Sequence, residues 1–298
     1  MGECAMKSLW FIVIFIFLNG CNDRESTVTV HNANVELALH VSAQETIANS
    51  AEKFSKECMK NLGLCWYKIR RSANEKDLPS VTIQSAGSKI SFQHVIGVTV
   101  VIDDKIGKNI ENIGVTLRAL PDNSTHEQNI DFIINLIKDI KAAGWQRFYL
   151  PEEPRISGSQ AAKIDAPGEV LGRPVLNHPW LDPDYKIDID HWLKSGPMYN
   201  WYFYHNDEYL NLMVWRRDSK DDPDKTGTYL ITLEFKSERE FWVAGISDKQ
   251  DRANWKALLP KRIDEYHALR SALEKQAREA GIEIDETYQD PPIQALRR

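Results

Sequence analysis

The first third of the chain moves from a helical to a strand-like pattern of apolar residues. Ile47, Ala51 and Phe54 recur at helical spacing with Cys58 after them, which predicts a helix over residues 42–61. Stretches rich in β-branched residues then predict four strands, over residues 65–70, 81–84, 90–102 and 113–120.

The clearest helical pattern follows these strands. Ser124 and Glu127 have the spacing of a capping box, and isoleucines recur at helical spacing from Ile130 to Ile140. Gly144 suits the left-handed position that follows a helix, so the pattern predicts a helix that ends before it. Residues 145–150 are predicted to form a strand.

The second half repeats this order after a change in composition. Proline and glycine recur from Pro151 to Pro197, which predicts loops and a connector over residues 156–198. Apolar alternation then predicts strands over residues 199–205, 209–217, 228–236 and 240–246. A helix over residues 261–280 and a strand over residues 282–285 complete the pattern.

The two halves therefore predict the same arrangement. Each has strands, an amphipathic helix that ends in Ala-Gly, and a short strand. The sequence predicts an α+β protein with two similar lobes, each an antiparallel sheet with a packed amphipathic helix. The N-terminal lobe spans residues 42–155 and the C-terminal lobe spans residues 199–298. The alternative is that Ala-Gly is only a common way to end a helix.

The chain begins with the pattern of a secretory signal. Lys7 precedes an unbroken apolar run from Leu9 to Leu18, and polar residues follow Cys21. The run is shorter than the roughly 20 apolar residues of a membrane-spanning helix. Residues 1–21 are therefore predicted to be a signal peptide, and residues 22–41 a polar tether.

The residues Leu18-Asn19-Gly20-Cys21 resemble the lipobox of bacterial lipoproteins. The resemblance implies that the signal is cut before Cys21, which then carries a lipid. The mature chain is expected in the periplasm, anchored to a membrane by acyl chains without spanning it. Asn22 after the lipidated position favours the outer membrane. An ordinary signal peptide with a chance cysteine is the alternative.

The net charge of the chain excludes some classes of binding partner. The formal net charge is −6, whereas nucleic-acid binding needs a basic surface. The chain also has no polybasic tract for anionic lipids. We therefore expect no nucleic-acid partner, and contact with a membrane only through the lipid anchor.

Two cysteines remain beyond the signal region, Cys58 and Cys65. An even pair in an oxidising compartment, at this spacing, is compatible with a short-loop disulfide. A metal-binding pair is the rival interpretation. It lacks the Cys-x-x-Cys spacing and nearby histidines of such sites.

The familiar catalytic motifs are missing from the sequence. The chain has no Gly-x-Ser-x-Gly elbow, no His-Glu-x-x-His and no glycine-rich phosphate loop. A disulfide between the two remaining cysteines leaves no cysteine nucleophile. We therefore predict no enzymatic activity, no catalytic residue, no cofactor and no metal.

The densest acidic tract spans residues 182–190 and is followed by His191. Oxygen ligands cluster here as they do in cation sites, but the tract lacks the glycine and the terminal glutamate of an EF-hand loop. A solvated acidic loop is the simpler interpretation. The tract contains the aspartates Asp182, Asp184, Asp188 and Asp190.

Aromatic residues crowd the second half of the chain. Tryptophan and tyrosine suit interfaces, and they suit the cores of strands equally. An acidic, proline-rich connector beside aromatic strands would make a good surface for a basic partner. We therefore predict that the four aspartates bind a partner together with Trp180 and Trp192.

Two further stretches resemble a known family. They are IKAAGWQRFY at residues 140–149 and PEEPRI at residues 151–156. With the lipobox, they resemble the periplasmic lipoproteins encoded beside type VI secretion phospholipase effectors, which act as immunity proteins. The resemblance covers the signal and roughly residues 80–160. It implies an inhibitor that binds a toxic secreted lipase, one to one, and covers its active site.

Three hypotheses follow. The first is an immunity protein that inhibits a type VI secretion phospholipase effector in the periplasm. The second is a structural or envelope-assembly lipoprotein that binds peptidoglycan or another envelope protein. The third is an enzyme with an unrecognised site, one version of which is a metal-dependent site around residues 182–191.

Overall fold

The computed structural model describes residues 33–61, 63–118 and 120–297. The protein is a mixed α+β protein made mostly of antiparallel sheet, as the sequence predicts at this level. The predicted signal peptide, the predicted lipidation site at Cys21 and most of the predicted tether lie outside the described residues.

The strands of the first half include one in the predicted tether and one in the predicted helix over residues 42–61. They are β1 (Asn34–Ala38), β2 (Ser55–Met59), β3 (Leu64–Arg70), β4 (Ser80–Ser85), β5 (Ser88–Phe92), β6 (Val95–Asp103), β7 (Asn112–Leu117), β8 (Ser124–Thr125) and β9 (Gln146–Arg147). The later strands are β10 (Glu169–Val170), β11 (Arg173–Pro174), β12 (Met198–His205), β13 (Glu208–Asp218) and β14 (Thr226–Ser237).

The helices are mostly short, apart from two long ones. They are α1 (Ala43–Ala48), α2 (His126–Ala142), α3 (Ile189–Lys194), α4 (Glu238–Trp242), α5 (Lys249–Ala253) and α6 (Trp255–Glu279). Short 3-10 helices span Gly158–Lys163, Pro179–Leu181 and Gln294–Leu296. Within the described ranges, no helix is both long and apolar enough to cross a membrane.

A nine-stranded antiparallel sheet forms the centre of the fold. Its strands lie in the order β2-β3-β6-β7-β14-β13-β12-β9, and β8 also pairs with β14. A separate three-stranded sheet has the order β1-β4-β5, in which β1 and β4 run parallel. A small hairpin joins β10 to β11.

One face of the large sheet, which we call the inner face, carries most of the core. Alternate residues of the central strands are fully buried there, including Val115, Leu212 and Ile231. The isoleucines of α2 and the three-stranded sheet join the same apolar cluster. Phe92 of that small sheet meets Phe235 of β14 with ring centroids 6.1 Å apart. Burial of this face supplies much of the hydrophobic driving force for folding.

The structure does not confirm two separate lobes. β7 of the first half pairs with β14 of the second half along Asn112–Leu117, so one continuous sheet crosses the predicted boundary. The described residues accordingly form one compact unit. Two independent cores would require this central pairing to be absent.

The predicted helix over residues 42–61 is wrong beyond its first part. α1 ends at Ala48, and residues 55–59 form β2, because Cys58 lies opposite Cys65 in a hairpin with β3. The predicted tether also ends earlier than expected. β1 lies within it, and its Val35 and Leu37 are buried in the core because β1 pairs with β4.

The disulfide between Cys58 and Cys65 is confirmed, with Cα atoms 4.1 Å apart on paired strands. Replacing both cysteines by serine is expected to lower the free energy of unfolding by about 2 kcal/mol, because the bond restricts a short loop of the unfolded chain. Urea denaturation followed by circular dichroism measures the loss. Wild-type protein in reductant should match the variant, and a loss below about 0.5 kcal/mol would contradict the prediction.

Candidate binding surfaces

Asp182, the first aspartate of the acidic tract, is a structural residue. Its carboxylate accepts hydrogen bonds from the backbone N–H groups of Gly158 at 2.6 Å and Asp184 at 2.8 Å. It also forms an ion pair with Arg147, and its side chain is only 4% exposed. The charge of Asp182 is thus already neutralised inside the protein, which argues against its predicted role in partner binding.

Gly158 explains how the chain closes around this carboxylate. A Cβ atom at Gly158 would lie 2.2 Å from Tyr185 Cβ and 3.0 Å from Asp182 Cβ. Only glycine allows the backbone to come this close to the acidic tract. The 3-10 helix at Gly158–Lys163 and the loop at residues 181–187 are held together by this contact.

The two tryptophans predicted to bind a partner lie in the core, and this burial argues against that role. Trp180 is 2% exposed and donates its indole N–H to the carbonyl of Ala161 at 3.1 Å. Trp192 is 1% exposed and donates its indole N–H to the Tyr229 hydroxyl at 2.9 Å. Its ring stacks on Tyr199 with centroids 4.0 Å apart.

The remaining three aspartates are exposed but differ in their contacts. Asp184 forms an ion pair with Lys141 of α2. Asp188 caps α3 and accepts hydrogen bonds from the backbone N–H and the ring of His191, at 2.9 and 2.6 Å. The backbone hydrogen bond is the main cause that lowers the pKa of Asp188. Asp190 lies in the first turn of α3.

A groove of about 510 Å³ lies between α2 and the loop at residues 181–187. It brings together four of the six predicted partner-binding residues, Trp180, Asp182, Asp184 and Trp192, whereas Asp188 and Asp190 lie outside it. Lysines from α2 and from the loop also line the groove, so it is not the acidic surface that the sequence predicts. Across the described chain, no group of three or more His, Cys, Asp or Glu is placed to hold a metal ion.

The stretches that carry the family resemblance have a structural role here. Arg147 bridges Asp182 and Asp285, the latter at 3.0 Å. Glu153 accepts hydrogen bonds from the backbone N–H groups of Leu176 and Asn177, each at 2.6 Å. Arg155 binds Glu274 of α6 through Nε at 2.8 Å. These side chains fix residues 147–155 to the connector and to the C-terminal part.

The second face of the large sheet is open over its central strands. Met198, Trp215 and Leu230 are direct neighbours on β12, β13 and β14, and they are 40, 46 and 43% exposed. The next positions on this face, Met213 and Thr232, are half-buried. We call these five residues the open face. A row of large apolar side chains exposed on adjacent strands is the usual mark of an interaction surface.

A pocket of about 290 Å³ adjoins the open face where α4 and α6 cover the sheet. Aromatic rings from four elements or loops line it, those of Phe148, Tyr202, Phe241 and Tyr266. The strands contribute Asn211 of β13 and Glu234 of β14, which lie on the same side of the sheet as the open face. We call this cavity the aromatic pocket.

The sequence of β13 contains a pattern that points to the open face, although we used it only to predict a strand. In β13, both alternating sets are largely apolar, since Leu212 and Val214 point inward while Met213 and Trp215 do not. A strand with one solvated face normally alternates apolar with polar residues. Apolar residues on both faces therefore indicated either a second buried layer or a binding surface.

Comparisons with protein-family models, with curated proteins and with solved structures give no match for this chain. The family resemblance therefore stays a prediction.

Proposed function

We propose that this protein is a lipoprotein immunity protein that binds and inhibits a type VI secretion phospholipase effector in the periplasm. The open face is the observation that carries the proposal. Met198, Trp215 and Leu230 lie side by side on adjacent strands with more than a third of each side chain exposed, and such a contiguous apolar patch is often an interaction site. The lipobox at Cys21 and the resemblance of residues 140–156 supply the kind of partner.

The position of the open face on the large sheet suits tight inhibition. β13, at its centre, is hydrogen-bonded to β12 on one side and to β14 on the other, and the inner face behind it is fully buried, so the surface is formed before binding. A preformed surface loses less conformational entropy on association than a mobile loop does. A stable complex buries about 1,200–2,000 Å² in total, which requires neighbouring residues around the open face as well.

The test uses the soluble form from Asn22 onward, mixed with the products of neighbouring genes. The proposal requires a one-to-one complex with a lipase and loss of the lipase activity. Full lipase activity at excess protein would rule it out. Recovery of the protein with isolated sacculi, or with other envelope proteins, would favour the structural lipoprotein hypothesis instead.

The variant Trp215→Glu is expected to weaken inhibition of the lipase at least tenfold, because a charge replaces the central apolar residue of the interface. Titration of lipase activity with each protein measures the change. Leu269→Glu on α6 is the matched control, since Leu269 is 60% exposed but lies outside both the open face and the aromatic pocket. Equal inhibition by both variants would remove the open face from the interface.

A further inference from the structure

The two cations that line the aromatic pocket already have partners within the protein. The guanidinium of Arg262 donates to the carbonyls of Trp242 and Ala244 at 2.8 and 3.3 Å and to the Tyr266 hydroxyl at 2.8 Å. The ammonium of Lys236 pairs with Glu234 at 2.9 Å. Neither cation is therefore available to bind an anionic ligand.

The acceptors of the same pocket are in excess. The side-chain oxygen of Asn211 is shielded from solvent and has no hydrogen-bond partner. The carboxylate of Glu152 is half-buried and makes no ion pair or hydrogen bond within the described residues. A shielded acceptor without a donor is unfavourable, and a half-buried carboxylate without a counter-ion attracts a cation, so both groups would gain from a cationic ligand that donates hydrogen bonds.

The electrostatic field in the pocket is negative near Tyr202. Burial raises the pKa of the Tyr202 phenol, and the charges of Glu153, Glu234 and Glu152 raise it further. A cation placed beside this ring would be attracted by the unpaired carboxylate of Glu152 and by the faces of the aromatic rings.

We propose that the aromatic pocket receives a guanidinium group, at the end of an arginine side chain from the protein that docks on the open face. This inference rests on the proposed function for the identity of that protein. A guanidinium is planar and weakly hydrated, so it stacks on aromatic rings while it donates hydrogen bonds at its edge. An ammonium lacks the flat face, and an apolar side chain would leave Asn211 and Glu152 without donors.

The size of the pocket and its position favour a side chain of the partner over a free metabolite. A cavity of about 290 Å³ lies at or below the lower limit for drug-sized ligands. Asn211 and Glu234 belong to the same sheet surface as the open face, so one partner can cover both. Arginine is among the residues that contribute most to protein interfaces when it is held in such a pocket.

The test measures binding of N-acetylarginine amide to the soluble protein by NMR titration. We expect saturable binding in the millimolar range, with shifts confined to pocket residues. N-acetylcitrulline amide has the same shape without the charge, and it should bind at least tenfold more weakly. The variants Glu152→Gln and Asn211→Leu should each weaken arginine binding at least threefold, whereas the control Glu283→Gln, on the C-terminal segment, should not.

Two outcomes would overturn the inference. One is the absence of saturable binding by the arginine derivative, and the other is equal binding of the arginine and citrulline derivatives. The result is separate from the test of the proposed function. If the arginine derivative binds and no lipase is inhibited, the pocket assignment stands and the immunity role fails. If a lipase is inhibited without arginine binding, only the pocket assignment fails.

Discussion

Replacing Glu274 by alanine is expected to lower the free energy of unfolding by about 3 kcal/mol, because Arg155, only 19% exposed, loses its closest partner. Within the described residues, the guanidinium then keeps only longer contacts to Glu286 and to the carbonyl of Tyr288. Glu274 lies in α6, and its side chain is 5% exposed. Its carboxylate accepts hydrogen bonds from Arg155 Nε at 2.8 Å, Nη2 at 2.9 Å and the backbone N–H at 3.1 Å. Urea denaturation followed by circular dichroism measures the loss.

The lowered pKa of Glu274 supports this expectation. Burial alone would raise the pKa of Glu274, but the hydrogen bonds and charge of Arg155 outweigh it and leave the pKa below its ordinary value. The carboxylate is therefore charged at neutral pH, and the pair contributes stability that is lost as the pH falls through the lowered pKa.

Two further variants distinguish the loss of the ion pair from a general destabilisation of α6. Glu279→Ala removes a carboxylate that is 65% exposed and 4.0 Å from Lys275, so it should change the stability by less than about 0.5 kcal/mol. The double variant Arg155→Met, Glu274→Leu replaces the pair by apolar side chains and should recover at least half of the loss. A loss below about 1 kcal/mol for Glu274→Ala would mean that water replaces the carboxylate.

The local patterns predicted correctly those elements in which buried residues recur at the regular spacing of a helix or a strand. The helical isoleucines of α2 and the alternation in β14 each mark a face that the core covers. The first turn of α2 begins one residue later than its capping box predicts, since Thr125 and Gln128 form the box. Such end effects shift a boundary without changing the element.

Short apolar runs were harder to assign. The stretch predicted as a strand over residues 240–246 begins inside α4, because Ser237 caps that helix and accepts a hydrogen bond from the backbone N–H of Glu240 at 3.2 Å. A few apolar residues fit a helix or a strand equally well, and tertiary contacts decide between them. Residues 282–285, also predicted as a strand, pair with no other strand among the described residues.

The pairing of distant strands could not be predicted from these patterns. Ile113 lies opposite Phe235, 122 positions later in the chain, and no local spacing encodes that contact. The same limit applies to the acidic tract. From the sequence alone, Asp182 is a typical surface aspartate. Only the folded chain places Arg147 and Gly158 next to it. The sequence likewise could not decide whether Trp180 and Trp192 lie in the core or at an interface, because their neighbours in the fold are distant in the chain.

The fold makes Glu153 a group whose protonation affects stability near neutral pH. The residue is 7% exposed, and burial raises its pKa from 4.5 to about 7, although the backbone N–H groups of Leu176 and Asn177 oppose the rise. A carboxyl whose folded pKa is raised contributes stability that is fully present below its ordinary pKa. That contribution is lost as the pH rises through about 7.

Replacing Glu153 by glutamine is therefore expected to change the pH dependence of stability. The difference in free energy of unfolding, variant minus wild type, should rise by about 3 kcal/mol from pH 4.5 to a pH above 7. The wild type loses this stability as Glu153 ionises, whereas glutamine cannot ionise. The glutamine also loses one acceptor for the two N–H groups, but that cost is the same at every pH. Urea denaturation across this range measures the difference, with Glu283→Gln, 80% exposed, as the control. A difference between variant and wild type that stays constant with pH would show that Glu153 remains charged throughout and that its two backbone hydrogen bonds overcome the burial.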